Sequence, residues 1–98
     1  MIIEQVLIDV KPGKIDALLT YARVHEELYR TIPGCHSLVY GRGVEDPDKA
    51  IFIVRWTSVS AHEAARSFPA WIEFSTGARP FIANAVAKHF DMIAWPGD

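Results

Sequence analysis

Side chains in IIEQVLIDV, positions 2–10, fall into two alternating sets. Glu4, Val6, Ile8 and Val10 share one face of an extended chain, and Ile3, Gln5, Leu7 and Asp9 share the other, so the segment is predicted to be a strand. KPGK (11–14) supplies the turn residues that stop it. From Lys14 to Ile32 the period lengthens. Ile15, Leu18, Ala22, His25, Tyr29 and Ile32 recur three or four positions apart, as the buried stripe of a helix does, and Leu19 and Leu28 widen it. Arg23, Glu26, Glu27 and Arg30 lie mostly away from that stripe, and PG at 33–34 ends the helix.

CHSLVYGR (35–42) reads as a second strand, GVEDPDK (43–49) as a turn-rich connection, and AIFIVRW (50–56) as a third strand. The short loop predicts an antiparallel hairpin. The third strand is the most continuously apolar, which predicts a central strand covered on both faces. A second helix starts near Ser58 or Ser60 and runs to about Phe74, with Ala61, Ala65, Phe68 and Ile72 as its core stripe and Ala64 and Trp71 beside them. Pro69 lies inside that span, so a break is expected there. Gly77 reads as a stop, and RPFIANA (79–85) as a further helical turn begun by Pro80. VAKHFDMIAW (86–95) alternates again as a fourth strand, with PGD as a tail.

The order β-α-β-β-α-β defines an α+β, ferredoxin-like arrangement: a four-stranded antiparallel sheet with helices on one face. Both strand faces carry apolar side chains, such as Ile3 and Leu7 against Val6 and Ile8, or Leu38 against Val39. A bare apolar sheet face marks an interface, and a two-fold homodimer burying the open faces is the simplest way to cover it.

At 98 residues the chain has the length of one domain. It is 50% hydrophobic and 22% charged, which is globular. A net charge of -2, with scattered Lys and Arg, argues against general nucleic-acid binding. Cys35 is alone, so no internal disulfide forms and a reducing compartment fits. The N-terminus lacks the basic region of a signal peptide, and no apolar run is long enough to span a membrane. A cytoplasmic location is expected.

VKPGK after strand one, IPGC before strand two, and EDPDKAIFIVRWTSVSAHEA from strand three into helix two resemble, in this order and spacing, the antibiotic biosynthesis monooxygenase family. Trp56, Ser58 and Ala61 match its W-x-S-x-x-A junction. The resemblance covers nearly the whole chain as a single domain, residues 1–98. It implies a dimeric α+β barrel with a pocket between the helices and the sheet of each protomer. It also implies a cofactor-independent monooxygenase that oxidises a quinol, anthrone or polyketide-like phenol with O2. The haem-degrading branch of the family carries Asn, Trp and His near positions occupied here by Val6, Ala65 and Ser75, which match none of them. The quinol-oxidising branch has a histidine near Ala65, and His62 precedes that place by one turn. A non-catalytic barrel that binds a small apolar ligand or a partner is the alternative, and a lyase or isomerase on the same fold is a third.

Within that frame the candidate base is His25, because a polar group in a sheet-facing stripe must be paired or line a cavity. Tyr29, one turn on, and Arg66 are candidate positioners of the substrate oxygen. Trp71 and Phe74 are candidate walls, and His62 is the reserve base. Each has a plainer reading: a core-edge His25, a solvated His62, an exposed Arg66, aromatic packing. Trp56 reads as packing, and Ser58 and Ser60 as rival helix caps, with Ser60-x-x-Glu63 spelling a capping box. Four dispersed histidines without ligand spacing, and no glycine-rich phosphate loop, lead to the expectation of no metal and no cofactor.

Overall fold

A computed structural model of the chain describes residues 1–95, so the PGD tail lies outside the described residues. The elements are β1 (Ile2–Val10), α1 (Ile15–Arg30), β2 (Cys35–Arg42), β3 (Lys49–Trp56), α2 (Val59–Ala65), α3 (Pro69–Ala78), a 3-10 turn (Arg79–Phe81) and β4 (Ile82–Asp91). The sheet order is β2-β3-β1-β4 and every neighbouring pair is antiparallel. This is the expected α+β, ferredoxin-like fold.

The alternation in β1 sorts as its pattern requires. Ile8 and Val10 are buried toward the helices, while Leu7 on the opposite face is exposed. Leu18, Ala22 and Tyr29 of α1, and Ile32 just beyond it, enter the core with Leu38, Val54 and Trp56. Tyr29 meets Phe74 edge-on, with ring centroids 4.9 Å apart. β3 is interior, yet the helices cover only one of its faces: Ala50, Phe52, Val54 and Trp56 are buried, and Ile51 and Ile53 stay partly open. Its unbroken apolar run therefore reflects an interior strand whose second face has no cover within the protomer.

The second helical region departs from expectation in phase. The chain breaks before Pro69 as predicted, but the break resets the helical phase. In α2 the buried residues are His62 and Ala65, and in α3 they are Phe74 and Ala78. Phe68 and Ile72, expected in the core, are exposed. A single stripe drawn through Pro69 joins two helices that turn different faces inward. Ser58, and not Ser60, caps α2: its Oγ accepts from the backbone N–H of Ala61 at 3.0 Å.

Gly77 does not stop α3, which continues to Ala78. A Cβ there would lie 2.0 Å from the Tyr21 hydroxyl, so the glycine makes room for α1. Tyr21 uses that room to donate to the Phe74 carbonyl at 3.0 Å, tying the two long helices together. The turn begun by Pro80 is a short 3-10 turn, and β4 runs from Ile82 to Asp91 rather than over 86–95. Alanine and asparagine are poor strand formers, but the ladder along β1, from Val10↔Ile82 to Ile2↔Asp91, recruits them.

Gly34, at φ +85°, turns the chain from α1 into β2. Its carbonyl accepts from the Thr57 N–H at 2.8 Å, and a Cβ on it would meet that of Ala61 at 2.7 Å. The first turn of α2 is thereby held against the end of the sheet, and this turn carries His62.

Candidate active site

An apolar cavity of about 230 Å³ lies between helices and sheet. β1 contributes Glu4, Val6 and Ile8 to its wall, β3 contributes Phe52 and Val54, and α1 contributes Leu18 and Tyr29. α3 contributes Trp71, Phe74 and Ser75, and β4 supplies Ile82 and Ala85. Ala85 and Ala87 are exposed, so the helix layer stops short of the β4 edge. The volume is below the roughly 300–1,000 Å³ of sites for drug-sized ligands and suits a compact molecule.

Glu4 is the one carboxylate in that wall. It is only 5% exposed, and a buried charge persists when it is hydrogen-bonded. The Trp56 indole N–H donates to Oε1 at 3.0 Å, and Nε2 of His62 stands 3.4 Å from Oε2. His62 is itself 2% exposed and stacks on Trp56 with centroids 4.9 Å apart. Its other ring nitrogen, Nδ1, lies 2.6 Å from Nε2 of His89, which stands directly across from Glu4 on β4. Burial holds the His62 imidazole below its ordinary range. Glu4 pulls it up, and His89 and Arg66 push it down further. Burial thus favours its neutral form. Among the described residues, no buried side-chain nitrogen or oxygen lacks a partner.

Tyr29 is the second polar group of the wall. Burial, reinforced by the Glu4 charge, pushes its phenol far up, so it stays a proton donor. Cys35 is half-buried and its thiol is pushed up to about 11 by burial, which leaves little thiolate.

The structure gathers Tyr29, Trp71 and Phe74 around the cavity, and His62 directly behind it. His25 and Arg66 are elsewhere. The His25 Nδ1–H donates to the Tyr21 carbonyl one turn back, at 2.9 Å, and its ring stacks on Tyr21 at 4.1 Å. Arg66 is exposed beyond the end of α2 and acts on the cavity only through its charge on His62. Glu4, Ser75 and His89 were not among the sequence candidates. Glu4 was findable: an acid alternating in register with Val6, Ile8 and Val10 on the helix-facing side has to be buried and paired. Among the described residues no three His, Cys, Asp or Glu side chains converge to hold a metal. No helix among them is long and apolar enough to cross a membrane.

These features define a ferredoxin-like α+β protein with an apolar cavity whose one carboxylate is backed by an imidazole pair. The chain belongs to the antibiotic biosynthesis monooxygenase family, whose model matches residues 1–76. No curated protein matches it in sequence. Among solved structures it is similar to a candidate antibiotic biosynthesis monooxygenase from Chloroflexus aurantiacus, with 25% identity and a TM-score of 0.80 over 99% of this chain and 98% of that one. Another, from Bordetella bronchiseptica, is 21% identical with a TM-score of 0.87, over 95% of this chain and 98% of that one. A mutant of SnoaB, a cofactor-independent oxygenase from Streptomyces nogalater, is 14% identical with a TM-score of 0.81, over 99% of this chain and 97% of that one.

Proposed function

We propose that this chain is a cofactor-independent monooxygenase that oxidises a compact electron-rich aromatic, a quinol, anthrone or polyketide-like phenol, with O2. The observation that carries this reading is the placement of Glu4: a hydrogen-bonded carboxylate in the wall of an otherwise apolar cavity. Family membership and the likeness to SnoaB support it.

Glu4 takes the acidic proton of the bound ring system. The resulting anion passes one electron to O2, and the radical and superoxide join to form a C–O bond and a peroxide anion. That anion takes up a proton, and loss of water leaves a carbonyl. A ring CH2, or a phenol with a free ring position, plus O2 thus gives the quinone-type product plus water, with no external reductant. Tyr29 donates to the substrate oxygen as charge develops there, and Trp71 and Phe74 hold the ring flat. The base is thus Glu4, backed by His62, in place of His25.

The same reading includes a homodimer through the open sheet face. Leu7, Val39, Val86 and Phe90 are 53%, 55%, 48% and 45% exposed on that side, a larger apolar patch than isolated surface residues make. Sedimentation at micromolar concentration tests it, and a monomer there rejects it.

The activity test is oxygen uptake by the purified protein with a reduced naphthoquinone and with an anthrone, beside a chelator-treated sample. The expected result is chelator-insensitive uptake of one O2 per product, slowed about 100-fold or more by Glu4→Gln. Uptake no faster than the uncatalysed rate overturns the reading. Quenching of tryptophan fluorescence by the quinol without uptake would replace it with a ligand-binding role.

A further inference from the structure

We propose that Glu4, His62 and His89 form a proton relay between the cavity and the solvent-facing β4 edge. The inference rests on the reading of Glu4 as the base. A base buried in an apolar wall has nowhere to put the proton it takes unless a second group accepts it. Here Trp56 holds Oε1, and Oε2 faces Nε2 of His62 at 3.4 Å. His62 then turns its second nitrogen to Nε2 of His89 at 2.6 Å. An imidazole engaged at both nitrogens takes a proton at one and releases one at the other.

The backbone builds this line. The β1–β4 register sets Glu4 and His89 opposite each other, and the capped first turn of α2 places His62 against both. Stacking on Trp56, with planes 20° apart, fixes the ring. His89 is only half-buried, on a strand whose neighbouring Ala85 and Ala87 are exposed, so the outer end of the line reaches water. The titratable and charged groups around His62 are Glu4 of β1, His89 of β4, and Glu63 and Arg66 on and just beyond α2; β3 contributes the uncharged Trp56.

The relay requires that neutral His62 carry its proton on Nδ1, shared with His89, so that Nε2 is open to accept from a protonated Oε2. A substrate proton arriving on Oε2 moves to Nε2 of His62 as the Nδ1 proton moves to His89. When the peroxide anion forms, the reverse transfer returns a proton to it and restores the starting tautomer, so the ring resets without rotating. The net reaction consumes and releases no proton, and the relay holds one away from the anion while it meets O2.

Two measurements decide the proposal. The first needs no activity: the imidazole 15N resonances of the whole protein are followed against pH, in wild type and in His62→Gln. The relay requires an Nδ1–H tautomer for His62 and His89 15N shifts that change when His62 is replaced. An Nε2–H tautomer with its proton held by Glu4, or His89 shifts identical in both proteins, overturns it. The second is His89→Gln in the oxygen-uptake assay. A fall in kcat of about tenfold or more, with KM unchanged and partial rescue by added imidazole, is the expected result. Wild-type kcat and pH profile in that variant overturn the relay even if the oxygenase reading stands. If the wild-type protein oxidises no substrate, the oxygenase reading falls and the resonance titration alone decides whether the three groups share a proton.

Discussion

The indole N–H of Trp56 donates to Oε1 of Glu4 across 3.0 Å, joining residues 52 positions apart. Trp56 pairs with Ile2, so it lies diagonal to Glu4 on the helix-facing side of two neighbouring strands. The tryptophan that closes β3 is therefore core packing and carboxylate partner together, 1% exposed between Tyr29 and His62.

Replacing Trp56 by Phe keeps a ring there and removes the N–H. A buried charged acceptor left short of a donor costs about 1–3 kcal/mol, and the volume lost adds to it, so a loss of about 3 kcal/mol is expected in urea unfolding. The same substitution made in a Glu4→Gln background should cost less, with a coupling of about 1 kcal/mol or more. Additive effects in that double-mutant cycle would show that the bond carries no energy.

Ser58 and Ser60 compete for the cap of α2 on paper, and the fold decides between them. Only Ser58 Oγ reaches a helix N–H, that of Ala61. Ser58→Ala should cost about 1 kcal/mol, and Ser60→Ala no more than about 0.5 kcal/mol, by chemical denaturation. Equal losses would refute the assignment.

Strand alternation and the α1 stripe were readable because each is a local pattern that tertiary packing only confirms. The second helical region was not, because the rotation between α2 and α3 depends on the three residues around the break, Arg66 to Phe68, and no periodicity runs through them. His25 and His62 show the same limit from the side of chemistry. His25 sits in the inward stripe of its helix and His62 beside the stripe of its own, yet His25 is satisfied by its own helix at the Tyr21 carbonyl while His62 meets Glu4 and His89. What separates them is the strand register that sets Glu4 across from His89, and a register is a property of paired strands. β4 was displaced for the same reason, since its extent is set by the partner β1.

Gly77 sits where two effects oppose each other. Alanine in a helix interior is favoured over glycine by about 0.5–1 kcal/mol. Its Cβ, however, would stand 2.0 Å from Oη and 2.5 Å from Cζ of Tyr21. That hydroxyl is bonded to the Phe74 and Glu73 carbonyls, so the ring cannot swing aside without breaking both contacts. Overpacking of this kind costs about 1–3 kcal/mol. Gly77→Ala should therefore destabilise by about 1–2 kcal/mol net. In a Tyr21→Ala background, with the obstructing ring gone, the same change should become stabilising. Stabilisation of the wild-type background by Gly77→Ala would mean that α1 and α3 do not pack this closely.

The acid side of the stability curve should report His62. Its imidazole is held below its ordinary value, first by burial, so the folded protein resists a proton that the unfolded chain accepts below about pH 6.5. The unfolded state then binds more protons, and stability rises with pH through this window. The contribution is fully present above about pH 6.5 and is lost as the pH falls below it. Unfolding free energies measured by urea between about pH 5 and pH 7.5 should fall on acidification in wild type and fall less in His62→Gln. Glu4→Gln has a directional consequence of its own: it removes the group that pulls His62 up, so the imidazole sinks further and the acid loss extends to lower pH. Parallel curves for wild type and His62→Gln would mean that His62 titrates as it does in the unfolded chain, and that the pairing with Glu4 and His89 does not form in solution.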